Sequence, residues 1–321
     1  MKKNFINFTV LILLIIFLLM LLFFSNDVSY SVLNALKIWK ENIIPCLFPF
    51  FVISDLLINY GFIDLFGEIT KNIIGKLFNL PKESSFVIIA SMLTGTPSSA
   101  KYTKELLDKK IISSKQANYL LSFTHFPNPL FILKATSSLV PNANIGLYIF
   151  ISIIVGNIII GLFFKEKNNF NFKKEKINLK KTLYNISIKN RNNNFIKILT
   201  NSIIKSTNSL ILILGIIIFF FIISVLINNL LNISYVNNAL LSGLLEITQG
   251  IEKIVQANIP INQKLTIITM FLTFGGISIH AQTISLLDNK DIHYINYLIS
   301  RIFHSIISGI IILIIYNFLL R

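Results

Sequence analysis

The feature that most constrains the fold of this chain is an internal repeat of an apolar segment that a glycine interrupts. Residues 84–112 match residues 264–292 at a shift of 180, which places Gly95 on Gly275. The stretch 51–59 repeats at a shift of 170, and the tripeptide E-I-T repeats at a shift of 178. Such differences in shift are expected between two copies of one unit after small insertions. A duplicated apolar half with an interrupted segment in each copy is typical of a secondary transporter.

Hydropathy places this duplication in a membrane. The chain is 54% hydrophobic and only 13% charged, whereas a soluble domain is about 25% charged. Its first apolar run, residues 8–24, has no charged residue and just reaches the length of a bilayer span. Lys2 and Lys3 precede this run, and no small-residue cleavage pattern follows it, so we interpret it as an uncleaved signal anchor. The predicted fold is an all-α polytopic membrane protein.

The positive charge of the chain indicates its orientation. Of the net charge of +15, much lies in residues 165–206, which contain eleven Lys or Arg and two Glu between two apolar runs. Cytoplasmic loops collect Lys and Arg during membrane insertion, and no nucleic-acid motif accompanies the segment, so topology explains it without a nucleic-acid partner. We expect both termini in the cytoplasm. The single cysteine, Cys46, excludes an intrachain disulfide and a cysteine-based metal cage.

These observations divide the chain into four predicted parts. Residues 1–42 are predicted to form a signal-anchor helix with an interfacial segment, and residues 43–164 a first gate-type repeat. A basic cytoplasmic loop at residues 165–206 and a second gate-type repeat at residues 207–321 follow. Within the first part, residues 25–42 are predicted to lie in the interface before a span that prolines break near its start.

The charge pattern also predicts a path through the membrane. Residues 61–83 read as an amphipathic interfacial helix, and residues 84–97 as an arm too short to cross, followed by a basic stretch on the same side. We therefore predict a re-entrant hairpin there, and its counterpart at residues 265–282 entering from the opposite face. Residues 116–139 and 145–164 are predicted to cross. Since the basic bias reverses between the copies, the two halves are predicted to be inverted-topology repeats.

The interruptions supply the candidate binding residues. A broken helix leaves N–H and carbonyl groups unpaired, and two inverted breaks bring them together near the midplane. The alternative is that each break only kinks a packed helix. The predicted substrate-binding residues are Gly95, Thr96, Pro97, Ser98, Ser99, Lys101, His125 and Asn128 in the first copy, and Gly275, Gly276, Ser278, His280, Gln282 and Arg301 in the second.

Arg301 is the sharpest of these candidates. It lies inside the last apolar run with His304 one turn further on, where an arginine costs roughly 2.5–3.5 kcal/mol at the bilayer centre. It therefore needs a partner, a wet cavity or an anionic ligand, and the alternative to a ligand is an ion pair with Asp55. The break around His125 is expected to face Arg301 across the same cavity.

Four segments of the sequence carry a resemblance to a known family. These segments resemble the sporulation integral membrane protein YlbJ (SpoVV) family, whose members carry gate, or nucleoside-recognition, domains. They follow one another in the order of the family, at residues 44–54, 95–101, 121–133 and 274–282. The resemblance extends over about 44–304. Thr96 stands where the family usually has an aromatic residue, and residues 125–127 replace Asn-rich polar residues.

The resemblance implies a fold similar to that of concentrative nucleoside transporters and a place in the outer forespore membrane. It also implies that the protein moves dipicolinic acid from the mother cell toward the forespore. Dipicolinate is a small planar dianion, so its carboxylates would bind N–H groups at helix starts and the fork of Arg301. Lys101 and His280 could neutralise the second carboxylate.

Other functions stay open at this point. A nucleoside or other small-solute transporter would need no cation at the site, and a sporulation scaffold would need no transport. An intramembrane serine hydrolase at Ser278 is disfavoured because Ile279 stands where a second glycine is expected, so we predict no enzyme. The sequence has no P-loop motif, and transport is therefore passive or coupled to an ion. We predict no cofactor and no metal, while a coupling ion and a homo-oligomer stay open alongside the lipid bilayer and the small anionic substrate.

Overall fold

The computed structural model describes residues 2–136, 139, 145–165, 174–191, 193–231, 233–287 and 292–320, and among these it contains helices and no strand. Five helical segments are long and apolar enough to cross a membrane, at residues 25–59, 145–163, 195–231, 261–287 and 294–319. The first apolar run forms a shorter apolar helix over residues 8–23. The predicted all-α polytopic membrane fold is confirmed.

The helices fall into two successive halves. The first contains α1 (Lys2–Phe23), α2 (Ser25–Ile38), a π-helical turn (Trp39–Ile43), α3 (Ile44–Asn59), α4 (Phe62–Phe78), α5 (Ser84–Thr94), α6 (Ser98–Asp108), α7 (Ser114–Phe123), α8 (Pro129–Thr136) and α9 (Ile145–Phe163). The second contains α10 (Leu179–Asn190), α11 (Phe195–Leu231), α12 (Tyr235–Leu245), α13 (Ile247–Gln256), α14 (Ile261–Phe274), α15 (Gly276–Leu287) and α16 (Tyr294–Ile315), followed by a π-helical turn (Tyr316–Leu320).

The segment from α2 to α3 is one helical stretch of 35 residues. It packs antiparallel to α11, because Asn229 donates a hydrogen bond to Asp27 at 2.7 Å and Ser202 donates one to Asp55 at 2.6 Å. The prediction of an interfacial segment followed by a separate broken span is therefore wrong. Pro45 does not end the helix, because it directly follows the π-helical turn Trp39–Ile43, where the N–H of Ile44 bonds to the Trp39 carbonyl five residues back.

The contacts of α9 define two ends of the molecule. Near its start, Gly146 packs against Leu133 of α8, and near its end, Gly161 packs against Phe78 of α4. Lys165, just after α9, donates a hydrogen bond to a carbonyl of α4 at 3.2 Å. We call this second end the basic end, because the basic segment begins there, and the opposite end the distal end.

Two helical hairpins enter the bundle from opposite ends. Helices α5 and α6 form the first, which starts beside α4 at the basic end and has its tip at residues 95–97. Helices α12 and α13 form the second, with its tip at Glu246 and its base beside the start of α14, where Lys264 bonds to the Val255 carbonyl at 2.6 Å. The first helix pair occupies the residues of the first predicted hairpin, and the second pair lies about thirty residues before the position predicted for it. The re-entrant path of both pairs in a membrane stays a prediction.

Two interrupted segments cross between the ends. Helices α7 and α8 run from the basic end to the distal end, with residues 124–128 between them not helical. Helices α14 and α15 run the opposite way, with a break at Gly275, and after α15 the backbone N–H of His293 donates to Asn118 in the first half of α7 at 2.9 Å. Residues 265–282 are therefore part of an interrupted crossing segment and not a hairpin. Their 27-residue helical segment is long enough to cross.

The last long helix, α16, runs antiparallel to α9. Phe303 in its first half stacks near Phe163 with ring centroids 6.2 Å apart, and Ile312 near its end joins the cluster that contains Ile149. Helix α16 thus ends at the distal end, away from the basic segment. The crossing by α14 and α15 adds one passage to the predicted path, and the cytoplasmic location of both termini stays a prediction.

The order of elements in the first half recurs in the second. Helix α3 corresponds to α11, and the first hairpin corresponds to the second. The first interrupted pair corresponds to the second interrupted pair, and α9 corresponds to α16. Corresponding elements run in opposite directions. This pairing places the sequence Leu-Ser-Phe at residues 121–123 on Leu-Thr-Phe at residues 272–274, a shift of 151. The match at 180 pairs a hairpin with a crossing segment, so the structure does not support it.

The match at 170 does agree with the structure. It places Ser54 of α3 on Ser224 of α11, and each serine contacts its own hairpin: Ser54 donates to the Leu93 carbonyl at 3.5 Å, and Ser224 shares a 2.8 Å hydrogen bond with Ser242. The change from 170 to 151 reflects α4, a helix of 17 residues whose counterpart is absent from the described part of the second half.

Candidate functional site

The two hairpin tips and the two interruptions meet around one cavity of about 80 Å³. Its polar wall has contributions from all four: Thr94 and Thr96 from the first hairpin, Asn128 from the first interruption, Glu246 and Thr248 from the second hairpin, and Ser278 and Gln282 from α15. Its apolar wall consists mainly of residues from α3 and α11, among them Leu47, Phe51, Ile213 and Ile217. We call this space the central cavity.

Four helices begin at this cavity, namely α6, α8, α13 and α15. The start of a helix carries a partial positive charge and unpaired N–H groups. Two side chains cap these starts: Asn128 accepts from the backbone N–H of Leu130 at 3.0 Å, and Glu246 accepts from that of Thr248 at 2.8 Å. The convergence of helix starts makes the cavity favourable for negative charge, and the Glu246 carboxylate offsets part of that effect.

Two polar atoms on the cavity wall have no hydrogen-bond partner within the described part of the chain. They are the amide nitrogen of Asn128 and the hydroxyl oxygen of Ser278, on side chains that are 7% and 1% exposed. Buried polar groups are nearly always hydrogen-bonded in native proteins. An unpaired donor on the wall of a cavity is therefore available to a ligand.

Glycines allow the interruptions to pack against one another. Gly95 and Gly276 have φ angles of 77° and 63°, which favour glycine. A Cβ on Gly95 would lie 3.0 Å from the backbone nitrogen of Asn128, and one on Gly276 would lie 3.3 Å from the carbonyl of Gly243. Each hairpin is thus held against one of the interrupted segments through backbone contacts that a side chain would disturb.

Arg301 lies in the layer behind the cavity wall and has no exposed surface. Its guanidinium donates to the carbonyl of Ser122 in the last turn of α7 and to Nδ1 of His304 at 2.9 Å. The Nε2 atom of His304 donates in turn to the Ile153 carbonyl at 3.1 Å, which fixes this histidine as the neutral tautomer. A cation is favourable at the carbonyl end of a helix, so Arg301 caps the first interrupted helix.

The alternative partner for Arg301 is excluded by the geometry. Asp55 accepts hydrogen bonds from Asn59 and Ser202 and pairs with Lys205 at 3.4 Å. None of the ion pairs among the described residues involves Arg301. The buried charge is balanced by a helix end, by a neutral imidazole and by the ring of Tyr297, whose centroid lies 5.4 Å from the guanidinium carbon.

The second interrupted helix is capped in a similar way. His280 donates from Nε2 to the carbonyl of Phe274, the last residue of α14, at 2.9 Å, and its Nδ1 accepts from the hydroxyl of Tyr294 at 2.9 Å. His125 at the first interruption bonds through Nδ1 with the hydroxyl of Tyr297 at 3.0 Å. These histidines position the helix ends around the cavity and do not line it.

The predicted site residues thus fall into three groups. At the cavity wall lie Thr96, Asn128, Ser278 and Gln282. In the tips and first turns lie Gly95, Pro97, Ser98, Ser99, Gly275 and Gly276, and in the layer behind lie His125, His280 and Arg301. Lys101 is exposed on α6 and does not line the cavity.

Sequence reasoning missed Glu246 and Thr248, because it assigned them to an outer loop on the basis of charge. Both are buried at the tip of the second hairpin. The available signal was length: α12 is an apolar helix of 11 residues, as is α5, and neither can span a membrane. A capping carboxylate directly after such an arm marks a helix restart.

Comparisons with known proteins show what this chain is similar to. Residues 41–141 match the Gate family model, described as nucleoside recognition, and this range contains the first hairpin and the first interruption. The chain is similar to the sporulation integral membrane protein YlbJ of Bacillus subtilis (strain 168), with 27% identity over 317 residues, 88% of this chain and 76% of that protein. The resemblance to this family is confirmed. No solved structure matches the chain.

Proposed function

We propose that this chain, similar to a sporulation membrane protein and to the Gate model, is a transporter whose solute binds in the central cavity. The observation that supports this most strongly is the meeting of four helix starts with the unpaired donors of Asn128 and Ser278. We further propose that the two halves are inverted-topology repeats, because their corresponding helices run in opposite directions. Rocking of one half against the other would then expose the cavity alternately to each side.

The first candidate substrate is dipicolinic acid, carried across the outer forespore membrane. The similarity to a sporulation protein agrees with a role in sporulation, and the name of that relative specifies no solute. A planar dicarboxylate would accept hydrogen bonds from Asn128, Ser278 and Thr96 and would be stabilised by the helix starts. Arg301 would act through the α7 end that it caps and not by direct contact.

The second candidate is a neutral solute of the nucleoside type. The specific observation in its favour is Glu246, whose carboxylate lines the cavity, while no Lys or Arg is among the described residues that do so. A carboxylate accepts hydrogen bonds from hydroxyl or amino groups, and it repels a dianion. The description of the Gate model also agrees with this candidate.

The substitution Glu246→Gln separates the two candidates. It removes the negative charge but keeps the length of the side chain. For a dianion we expect tighter binding, and for a neutral solute we expect binding to weaken about tenfold, because hydrogen bonds to a charged group contribute about 1.5–3 kcal/mol. The measurement is the uptake of radiolabelled dipicolinate and of a labelled nucleoside into proteoliposomes, with binding to the purified protein alongside.

Matched controls locate the effect. Glu105→Gln makes the same chemical change on an exposed surface of α6 and should change neither binding constant. Ser278→Ala should weaken binding of the transported solute, whereas Ser308→Ala, which removes another buried unpaired hydroxyl outside the cavity lining, should not. Folded protein that moves neither solute would contradict transport and favour a sporulation scaffold.

The orientation and any coupling ion are part of the same proposal. The basic end faces the cytoplasm under the positive-inside rule, which places the start of α1 there and the end of α16 on the other side. A coupling cation would need free carbonyls, and those of Ser122 and Phe274 already accept hydrogen bonds from Arg301 and His280. We therefore favour transport down the gradient of the solute.

A further inference from the structure

A second and wider cavity, of about 230 Å³, lies next to the central one. We propose that it is an outer binding site for the transported carboxylate, reached from the distal end, and this rests on the proposed transport of an anionic solute. We call it the vestibule. Its polar wall consists of Asn42, Lys134, Thr248, Glu252 and Gln256.

The two cavities share walls. Phe131 of α8 and Thr248 of α13 line both the vestibule and the central cavity. Asn128, whose amide nitrogen is unpaired, lies one helical turn before Phe131. A solute that leaves the central cavity past these two side chains therefore enters the vestibule directly, and Phe131 and Thr248 act as the partition.

The vestibule lies toward the distal end. Lys134 is next to Leu133, which packs against Gly146 at the start of α9. Gln256 is the last residue of α13, next to the Val255 carbonyl that binds Lys264 at the start of α14. The end of α8 and the end of α13 therefore both lie on the side of the molecule opposite to Lys165 and the basic segment.

The other direction is filled by the apolar core. Phe78 and Phe123 stack with centroids 4.5 Å apart, and Tyr119 packs against Phe123 at 5.1 Å. These rings belong to a continuous buried cluster with Leu120 and Ile160 between the cavity and the basic end. The conformation thus closes the basic end and leaves the distal route as the one with space for a solute.

The chemistry of the vestibule suits a carboxylate that also carries acceptors. Lys134 supplies an ammonium group and the amides of Asn42 and Gln256 supply N–H donors. The opposing charge, Glu252, is hydrogen-bonded by Asn34 at 3.4 Å and has Lys37 and Lys253 in its electrostatic surroundings. Lys134 and Glu252 are the charged side chains among the described residues that line the vestibule, so a carboxylate would bind on the side of Lys134 and the two amides.

The test uses the full chain in proteoliposomes with Cys46 replaced by alanine. In that background, Gln256→Cys is exposed to a membrane-impermeant maleimide added on the distal side, with and without dipicolinate. We expect labelling from that side alone and at least tenfold slower labelling in the presence of dipicolinate. Glu105→Cys at the basic end is the matched control: the same maleimide added on the basic side should label it at a rate independent of the solute.

A charge substitution gives a second readout. Lys134→Gln should raise the KM for dipicolinate about tenfold, as expected for loss of a charge-assisted hydrogen bond to the solute, and the unfolding temperature of the variant is measured alongside. Lys109→Gln on the exposed end of α6 should leave this KM unchanged. Suppose that the parent chain transports dipicolinate, but that dipicolinate does not slow the labelling and that Lys134→Gln does not change the KM. The vestibule proposal is then overturned and the transport proposal stands. If the parent chain transports no anion, the transport proposal itself has failed.

Discussion

At the scale of single residues, the cost of burying Arg301 is met by hydrogen bonds and not by a countercharge. The sequence indicated the cost, because an arginine in the middle of an apolar run must be compensated. It could not indicate the partners, since the Ser122 carbonyl lies in a helix 179 residues away in the chain and becomes free only because α7 ends there. A helix end is a feature of the folded backbone, and no residue type identifies it in advance.

The substitution Arg301→Gln should therefore act first on stability. It leaves the Ser122 carbonyl and the Nδ1 atom of His304 unpaired, and each unpaired buried group costs about 1–3 kcal/mol. We expect a clear decrease of the unfolding temperature in detergent, together with reduced transport. Arg191→Gln, the same change on an exposed side chain, is the control. Lost solute binding at an unchanged unfolding temperature would instead make Arg301 a direct ligand.

At the scale of elements, length and charge predicted the place of the first helix pair, whereas the second pair lies about thirty residues before its predicted place. Residues 84–97 were recognisable because a short apolar arm is followed by lysines that favour the same side. In the second half, the glycine pair at 275–276 drew the prediction to the wrong place. A glycine marks a break in the helix, but it does not say whether the chain turns back or continues, and that is decided by what packs beyond the break.

Close packing of the second hairpin gives a prediction at this scale. A Cβ on Gly250 would overlap the backbone of Gly243, which cannot move without separating α12 from α13. We expect Gly250→Ala to lower the free energy of unfolding by about 1–3 kcal/mol, as overpacking of a core does. Gly215→Ala, on α11 with no atom within 4 Å of the new Cβ, should be neutral or slightly stabilising. Equal effects of the two substitutions would contradict the close crossing.

At the scale of the whole molecule, the basic segment is attached to α4 by charge. Glu175 pairs with Lys71 and Lys82, both at 3.2 Å, and the backbone of Asn178 donates to Glu68 at 2.7 Å. The sequence predicted α4 as an interfacial helix and the segment as a cytoplasmic loop. It could not predict this attachment, because one acidic residue among many lysines gives no indication of which of them it will bind.

This attachment should depend on pH. Hydrogen bonds from Lys82 and Lys71 lower the pKa of Glu175 below its ordinary value. A carboxyl whose pKa is lowered by folding stabilises the folded state above its unfolded pKa, and this contribution is lost as the pH falls through the folded value. The unfolding temperature of the unsubstituted chain should exceed that of Glu175→Gln at pH 7, and the difference should vanish near pH 3. A difference that persists in acid would contradict the charge pairing. Glu41→Gln, on an exposed side chain that is in none of the ion pairs of the described residues, serves as the control.

The extra helix in the first half has a consequence for how such a carrier would work. In a carrier built from two identical halves, the empty cavity would be open to either compartment for equal times. Among the described residues, α4 has no counterpart in the second half, and Glu175 binds the basic segment to it. In the carrier proposed above, the two orientations would therefore differ in energy, and the empty protein would favour one of them.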